Sequence, residues 1–410
     1  MLCMALNDYD TATQTKGKIM REVYIVDAKR TAVGSYLGSL TSLKAHELGA
    51  SVIKSIIKTN NLPSDAIDEV ILGQVLTGGQ GQNPARQASI NAGLDVKTPS
   101  FTVNKVCGSG LKAIALAFDS IALGHNELMI AGGQESMSTA LHGALIRQNV
   151  RMGNVNFIDL MSYDGLTDAF SNVAMGITAE NVSKKYNVTR EDQDLFSLAS
   201  QQKAAKAIKE GLFKDQIVPL EVKIKKELVQ FTTDEFVRPD SSLESLAKLK
   251  PAFDQNGTVT AGNSSGINDG AAMLLLASED ALKKYNLKPI AKIVNHASAG
   301  VDPQIMGVAP AEAVKKLMTR TNFKVENLDL IEANEAFAAQ AIAVNRLLNW
   351  DESKVNITGG SIAIGHPIGA SGARVAVTLL HNMQRLNAKN GLASLCIGGG
   401  MGIAMRFELV

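Results

Sequence analysis

The chain has 410 residues, with 41 lysines and arginines against 40 aspartates and glutamates, which leaves a formal net charge of +1. This length is enough for two or three domains. The balanced charge gives no electrostatic basis for binding nucleic acid or another polyanionic surface. The sequence shows no apolar run of membrane-spanning length and no secretory signal with basic residues followed by apolar ones. We therefore expect a cytoplasmic protein with no membrane partner.

The cysteines indicate a reducing compartment, and the first residues indicate a disordered tail. Residues 1–19 are polar, include acidic residues and lack arginine, which indicates a disordered tail rather than a mitochondrial transit peptide; Met20 is an alternative start. The chain has three cysteines, Cys3, Cys107 and Cys396. They are too few and too scattered for a disulfide framework or a zinc site.

Short β-branched runs alternate with helical patterns in two series. The first series has strand patterns at 23–26, 69–72 and 127–130 and helical patterns at 45–58 and 110–123. The second has strand patterns at 290–294, 328–331 and 392–397 and helical patterns at 311–319 and 369–383. A further apolar strand is expected at 272–277. This alternation predicts an α/β fold of parallel strands joined by helical crossovers.

Two local matches indicate that the second series repeats the first. Residues 67–72 (IDEVIL) resemble residues 328–332 (LDLIE), and residues 108–113 (GSGLKA) resemble residues 370–375 (ASGARV), at offsets of about 260. A duplicated half-domain brings equivalent turns together across a pseudo-twofold axis. We therefore expect Cys107 and the region of Gly369 to share one cleft.

The segment between the two series differs in character from both. Residues 139–266 are richer in charge and loops, with basic residues such as Arg147, Arg151 and Lys225 and a helical pattern at 190–210. Such an insertion typically forms a lid or a binding surface, and a solvated excursion without a role is the alternative. The predicted division is a tail at 1–19, an N-terminal half at 20–138 and 267–289, the insertion at 139–266, and a C-terminal half at 290–410.

Cys107 opens a turn of small residues that leads into the apolar helical pattern at 111–118. Backbone N–H groups and the positive end of a helix dipole at this position favour the thiolate over the thiol. A lone cysteine is more often a small core hydrophobe than a catalyst. The turn alone therefore does not establish a nucleophile.

Three more residues complete a set suited to acyl transfer with carbanion chemistry. His366 lies in a glycine-rich loop before a proline that restricts its backbone. Cys396 precedes a run of glycines whose N–H groups can face an oxyanion. Asn334 follows a strand pattern, where side chains reach the cleft of a parallel sheet. With Cys107 they supply a nucleophile, two bases and oxyanion donors.

Each of these signals has a structural alternative when it is taken singly. His366 could be a surface histidine, Cys396 a core residue, and Asn334 the cap of the following helix. The polar, glycine-rich loop at 260–270 could bind an amide-bearing ligand or be an ordinary connection.

Four motifs, in this order and spacing, resemble those of the thiolase family, and the resemblance extends from Met20 to Val410. They are V-C-G-S-G at 106–110, N-E-A-F at 334–337, G-H-P-I-G-A-S-G at 365–372 and C-I-G-G-G at 396–400. The C-G-S-G and G-A-S-G forms, with A-G-G-Q-E-S-M at 131–137, are similar to the biosynthetic acetyl-CoA acetyltransferases; degradative 3-ketoacyl-CoA thiolases more often have C-S-S-G. The resemblance implies duplicated βαβαβ halves in a layered α-β-α-β-α core with an inserted loop domain.

The resemblance also implies a ping-pong Claisen condensation of two acetyl-CoA molecules to acetoacetyl-CoA and CoA, with thiolysis as the reverse reaction. Cys107, activated by His366, is expected to carry the acetyl group, and Cys396 to remove the methyl proton of the second acetyl-CoA. Backbone N–H groups of Cys107 and Gly398 are expected to hold the thioester oxyanion, and His366 and a water on Asn334 the enolate oxygen. No metal or cofactor is expected, because the coenzyme A thioesters are substrates.

For coenzyme A, the resemblance points to the insertion and the loops beside it. Ser265 is expected near the pantetheine, Arg238 near the adenine or the phosphates, and Leu166 and Met175 along the channel. The expected binding set is completed by Ala261, Phe337 and Ser245. A homodimer or a homotetramer is also implied, with the segment after Thr139 holding two dimers together.

The chain departs from the family pattern at three positions. Ala174 stands where many biosynthetic relatives have a histidine, which removes one polar contact from the pantetheine tunnel and weakens the expected preference for two-carbon units. Thr358 and Ser361 replace the asparagine and the alanine that are common before the G-H-P motif, and both side chains are small.

Three alternative functions make different demands on the same residues. A degradative 3-ketoacyl-CoA thiolase would accept longer chains with the same four motifs. A ketoacyl synthase that condenses on an acyl carrier protein needs two histidines in the site and no catalytic Cys396. A non-catalytic lipid-binding relative is expected to lack at least one of the four catalytic side chains, and all four are present.

Overall fold

The computed structural model describes residues 20–147, 152–224 and 226–410. The predicted tail at 1–19 with Cys3, and the basic residues Arg151 and Lys225, lie outside the described residues.

The described residues combine strands and helices along the whole chain. The strands are β1 Val23–Thr31, β2 Gly34–Ser35, β3 Glu69–Gly73, β4 Ser100–Val103, β5 Leu128–Ser136, β6 His142–Gly143, β7 Ile158–Asp159, β8 Ile217–Val218, β9 Leu220–Ile224, β10 Glu227–Phe231, β11 Asn268–Ala277, β12 Ala291–Gly300, β13 Leu330–Ala333, β14 Asn390–Ile397 and β15 Met401–Leu409. The α-helices are α1 Ala45–Thr59, α2 Pro84–Asn91, α3 Ser109–Leu123, α4 Met175–Lys185, α5 Arg190–Lys209, α6 Leu243–Ala247, α7 Glu279–Lys284, α8 Ala309–Thr321, α9 Ala338–Leu348, α10 Ser361–Ile364 and α11 Ser371–Leu386.

The main sheet has the order β13-β14-β15-β12-β1-β11-β5-β3-β4. In addition, the short strand β2 pairs with β11, and β8 pairs with β1. β3 is parallel to β4 and β5, and β13 is parallel to β14. β11 is antiparallel to both of its long neighbours, and so is β15. The predicted parallel pairing is therefore present for β3, β4 and β5 and for β13 and β14, whereas the pairings of β11 and β15 are antiparallel. A connection as short as residues 398–400, between β14 and β15, permits only an antiparallel pair.

The duplication predicted from the local matches is visible in the element order. The IDEVIL match ends in β3 and the LDLIE match ends in β13, while the GSGLKA and ASGARV matches begin α3 and α11. The two halves of the sheet join through a short antiparallel pairing of Val23–Ile25 with Ala291–Ile293. The domain boundaries themselves remain a prediction.

Helices α3 and α11 pack against each other between the two halves of the sheet. α3 covers β3 and β5, α11 covers β13 and β14, and both also contact β11 and β1. On the outer faces, α1 lies against β1, β5 and β11, and α8 lies against β12, β14 and β15. The core around α3 and α11 consists of buried and mostly aliphatic residues. This order of layers is the predicted α-β-α-β-α core.

The insertion has its own local structure, and its main helix is where the sequence places it. The predicted helix at 190–210 is α5, and it begins after Thr189 because Thr189 and Asp192 form a reciprocal capping box. After the insertion the chain returns to the sheet as β11, which lies between β1 and β5. The insertion is thus flanked by strands of the first half.

One stretch of the described residues, Val106–Leu123, is long and apolar enough by composition to cross a membrane, and 61% of it is buried inside the protein. The prediction that no run reaches this length was wrong by that criterion. The stretch contains α3, whose apolar character is accounted for by its place in the central layer.

A buried ion pair ties the insertion to the first strand. Arg30 of β1 donates to both carboxylate oxygens of Asp234 at 2.7 and 2.9 Å and to Gln216 Oε1 at 2.8 Å. Neither side chain of the pair is exposed to solvent. Asp234 also accepts from the backbone N–H of Val33. The loop after Asp234 is thereby fixed to the sheet.

We predict that Asp234→Ala lowers the free energy of unfolding by about 3–5 kcal/mol, because it leaves the Arg30 guanidinium buried without a counter-charge. The measurement is urea unfolding followed by circular dichroism. Glu244→Ala is the matched control, since it removes an exposed ion pair with Lys248 and costs about 0–1 kcal/mol. Equal shifts for the two variants would contradict the prediction.

Candidate active site

The two equivalent turns of the duplication meet at the N-terminal ends of α3 and α11. A Cβ atom on Gly110 would lie 2.8 Å from the backbone nitrogen of Ala373, and one on Gly372 would collide with the backbone nitrogen of Leu111. Only glycine permits this approach at either position. The expectation that Cys107 and the Gly369 region share one cleft follows from this contact, because both residues lie just before the crossing helices.

Cys107 is held in its turn by a strained backbone and by a serine. Val106 has φ = 47°, a left-handed conformation that a β-branched residue adopts only at a cost. Ser109 Oγ donates to the carbonyl of Val106 at 2.6 Å and accepts from the N–H of Lys105 at 2.8 Å. The turn presents Cys107 to the cavity, where it is partly exposed.

His366 has one defined tautomer. Its Nδ1 lies 2.5 Å from Ser371 Oγ, and that hydroxyl donates its proton to the carbonyl of Pro367 at 2.9 Å. Ser371 Oγ must then accept from Nδ1–H, which we assign from this network. Nε2 therefore carries a lone pair and is the atom that can accept a proton.

The loop that carries His366 is anchored to the first half of the duplication. Asn268 Oδ1 accepts from the N–H of His366 at 2.8 Å. Glu135 accepts from the N–H groups of Gly369, Val75 and Leu76. These bonds explain why a histidine from the second half is held over a cysteine from the first.

Asn334 and Cys396 come from the ends of neighbouring strands. β13 and β14 are parallel, with Ala333 beside Ser394, and the N–H of Asn334 donates to the carbonyl of Ser394 at 2.9 Å. Asn334 Nδ2 lies 3.5 Å from His366 Nε2. Cys396 is fully buried, and Cys107 is close enough to contribute, after burial itself, to raising the pKa of the Cys396 thiol.

Burial shifts the pKa values of all three titratable groups toward their neutral forms. It raises the pKa of Cys107 to about 11, although the N–H groups of Gly398 and Cys107 point at the thiol and oppose the shift. It also raises the pKa of Cys396 well above its usual range. Burial and the charge of Arg374 lower the pKa of His366 to about 3. The backbone N–H groups favour the thiolate, as expected, but burial outweighs them, so the thiol is the resting form of Cys107.

A cavity of about 710 Å³ leads from the surface to Cys107 and His366. Its lining includes these predicted binding residues: Leu166, Met175, Arg238, Ala261, Ser265 and Phe337. Ala174 also lines it. Asn334, Cys396 and Gly398 are buried and are not part of this lining. Cys107 and His366 thus share one cavity with six of the predicted binding residues, and the individual roles remain predictions.

Ser245 does not line the cavity in the part of the chain that the structure describes. It lies in α6, where its Oγ donates to the carbonyl of Ser242 and accepts from that residue's N–H. Arg238 lies at the exposed rim, with its guanidinium 4.9 Å from the ring centre of Phe236. Its N–H is fixed by Gln201 Oε1 at 2.8 Å.

Several residues of the site are not evident from the sequence. Ser371, Glu135 and Asn268 hold His366, but the motifs that contain them carry no spacing signal for these contacts. Ser361 Oγ donates to Asn334 Oδ1 at 2.6 Å. The sequence signal that could have indicated Ser361 is that a serine stands where alanine is common before the G-H-P motif.

Two family models cover nearly the whole described chain. Residues 23–280 match the thiolase N-terminal domain, and residues 287–409 match the thiolase C-terminal domain. The chain belongs to the thiolase family. The duplicated layers are therefore those of a thiolase, and the predicted fold class is confirmed.

Named relatives are similar to this thiolase over almost their entire length. It is 56% identical over 391 residues to an acetyl-CoA acetyltransferase of Chromobacterium violaceum, covering 94% of this chain and 99% of the relative. It is 55% identical over 390 residues to the enzyme of that name from Pseudomonas aeruginosa, with coverage of 94% and 99%.

Two solved structures are also similar. The Bacillus anthracis acetyl-CoA acetyltransferase has a TM-score of 0.93 at 41% identity, with 96% of this chain and 100% of the other covered. Human mitochondrial 3-ketoacyl-CoA thiolase has a TM-score of 0.92 at 39% identity with the same coverage.

We predict that alkylation of Cys107 by iodoacetamide keeps accelerating up to at least pH 10. A raised pKa of about 11 keeps the thiol protonated where an ordinary cysteine, with a pKa of about 8.5, has already ionised. The rate is measured by mass spectrometry of the Cys107 peptide at a series of pH values. A synthetic peptide of residues 105–112 is the control, and a plateau below pH 9 in the folded protein would contradict the prediction.

Proposed function

We propose that this thiolase is an acetyl-CoA acetyltransferase, which condenses two acetyl-CoA molecules to acetoacetyl-CoA and CoA and catalyses the reverse thiolysis. The observation that carries the proposal is that Cys107 and His366 line one cavity, while the buried Asn334 lies beside His366 and the buried Cys396 thiol is influenced by Cys107. Relatives more than half identical to this chain bear the name acetyl-CoA acetyltransferase.

In the first half-reaction Cys107 Sγ attacks the thioester carbonyl of acetyl-CoA while His366 Nε2 takes the thiol proton. The developing oxyanion accepts from the N–H groups of Cys107 and Gly398, which already point at the sulfur. The carbon–sulfur bond to CoA breaks, and Cys396 gives its proton to the departing thiolate. This leaves an acetyl thioester on Cys107, a protonated His366 and a thiolate on Cys396.

In the second half-reaction the Cys396 thiolate removes a methyl proton from a second acetyl-CoA. The enolate oxygen is held by protonated His366 and by a water on Asn334 Nδ2. The carbanion attacks the acetyl carbonyl, a carbon–carbon bond forms, and the Cys107 thiolate leaves. His366 returns its proton to Cys107, so each group ends in its starting state.

The raised pKa of the Cys396 thiol supports its role as the base of the second half-reaction. A thiol with such a pKa rests in the protonated form, so the proton that the CoA thiolate takes up is present before the first half-reaction. Once ionised in a dry site it is a stronger base than an ordinary thiolate, which abstraction from a methyl group requires. Apart from the water on Asn334, every group in this scheme comes from the chain or from the CoA thioesters.

Coenzyme A is proposed to occupy the cavity described above. Its apolar walls, including Leu166, Met175 and Phe337, suit the pantetheine arm, and the loop of Ala261 and Ser265 offers polar groups beside it. Arg238 at the rim is proposed to meet the phosphates or the adenine. Ser245 remains part of the expected set at the surface near this rim.

A degradative 3-ketoacyl-CoA thiolase is the second candidate. Ala174 contributes only a methyl group to the cavity wall, at the residue that precedes α4, and a small side chain there leaves room for a longer acyl chain. A series of 3-ketoacyl-CoA substrates of increasing length separates the two candidates. An acetyl-CoA acetyltransferase requires that the rate of thiolysis decreases steeply for substrates longer than the four-carbon one.

A homodimer or a dimer of such dimers is proposed for the assembly. The segment 141–170 exposes an unusual number of apolar side chains for its length, among the described residues Leu145, Ile146, Met152, Phe157 and Phe170. Light scattering in solution tests this. A mass of two or four times the 43.5 kDa chain is expected, and the single-chain mass would exclude it.

The proposed activity is tested by adding acetoacetyl-CoA and free CoA to the wild-type enzyme and following loss of the enolate absorbance. We expect turnover with ping-pong kinetics, because an acetyl-enzyme separates the two substrates. No turnover at micromolar enzyme would exclude a thiolase activity on this substrate.

Two cysteine variants serve as matched probes in the same assay. Cys107→Ala is expected to abolish formation of a labelled acetyl-enzyme. Cys396→Ala is expected to become acetylated but to fail in condensation. The reverse pattern would mean that the two roles are exchanged.

A further inference from the structure

A chain of buried hydrogen-bond donors runs from α11 to the catalytic histidine. Arg374 Nη2 lies 3.0 Å from Ser361 Oγ, Ser361 Oγ lies 2.6 Å from Asn334 Oδ1, and Asn334 Nδ2 lies 3.5 Å from His366 Nε2. None of these four side chains is more than 5% exposed. The chain is therefore shielded from water along its whole length.

The direction of every bond in this chain is fixed by chemistry. A guanidinium can only donate, so Ser361 Oγ accepts from Arg374 and has its single proton left for Asn334 Oδ1. The carbonyl oxygen of the Asn334 amide must then face Ser361, and its NH₂ group must face His366. At the far end, Ser371 fixes the lone pair of His366 on Nε2, which is the matching acceptor.

We propose that Ser361 is a positioning residue of the second half-reaction. Its hydroxyl keeps the NH₂ group of the Asn334 amide turned toward the enolate. The inference rests on the function proposed above. The two ends of an amide are nearly equal in size, so packing alone discriminates poorly between the amide and its flipped form. A flipped amide would present its oxygen, rather than an N–H donor, to the water that holds the developing enolate.

The charge on Arg374 strengthens the preference for one orientation of the Asn334 amide. Its Nε and Nη1 have no hydrogen-bond partner among the described residues, which leaves Ser361 as the acceptor that the structure gives to this guanidinium. Burial lowers the pKa of Arg374, and the carboxyl groups of Glu332 and Glu335 oppose that shift and favour its charged form. A hydroxyl that accepts from a buried cation is polarised and becomes a better donor to Asn334.

The experiment compares Ser361→Ala with a matched control, Thr358→Val, in the two half-reactions. Thr358 lies three residues earlier in the same loop, is 2% exposed, and accepts from Asn382 Nδ2 rather than from a group of the site. Both substitutions remove one buried hydroxyl. Acetylation of Cys107 is measured with labelled acetyl-CoA under single-turnover conditions, and condensation is measured as kcat and KM.

We expect Ser361→Ala to acetylate Cys107 within about twofold of the wild-type rate and to lose roughly 5- to 30-fold in the kcat of condensation, with little change in KM. Thr358→Val is expected to match the wild type in both steps. A structural role for Ser361 would instead lower both half-reactions together, and that result would overturn the inference.

A double-mutant cycle tests whether Ser361 acts through Asn334. Asn334→Ala is expected to slow condensation, and adding Ser361→Ala to it should cause no further loss, because the group that Ser361 positions is already gone. If the rate losses caused by the two single substitutions multiply in the double variant, the inference is overturned while the proposed function stays intact. Absence of turnover by the wild-type enzyme would overturn the proposed function and the inference with it.

Discussion

The close approach of α3 and α11 is the constraint on which the rest of the site depends. Gly110 and Gly372 occupy equivalent positions in the two halves and allow the helix ends to touch backbone to backbone. A side chain at either place would separate the turns that hold Cys107 and His366. The catalytic groups are thus brought together by the duplication itself, and the loops and strands around them refine a contact that the two helices establish.

This contact also places the chemistry in a dry interior, and dryness sets the resting state of each group. Both thiols are held in their protonated forms and His366 is held neutral. The proton transfers of the proposed mechanism accordingly run between protein groups and substrate. The N–H groups of Gly398 and Cys107 already point at the Cys107 thiol, so the proposed stabilisation of an oxyanion requires little rearrangement.

Much of the fold and of the site could be predicted from the sequence. The alternation of patterns located α1, α3, α5 and α11 closely, and the four motifs identified Cys107, Asn334, His366 and Cys396. An apolar run carries no sign of strand direction, so the antiparallel placement of β11 could not be predicted from it.

What the sequence could not supply were contacts between distant segments and the effects of burial. The bond of Glu135 to Gly369 joins residues 234 positions apart, and the pair of Arg30 and Asp234 joins residues 204 apart. The pKa of Cys107 was expected to decrease because a helix start is visible in sequence, whereas the loss of water around it is not.

The two halves also show how equivalent positions can diverge without a change of side chain. Ser109 and Ser371 begin the equivalent helices, and each donates to a carbonyl in the turn before it. The second bond differs: Ser109 accepts from a backbone N–H, and Ser371 accepts from an imidazole. One serine closes a turn, and its counterpart selects a tautomer. Specialisation after duplication therefore required a new neighbour rather than a new residue.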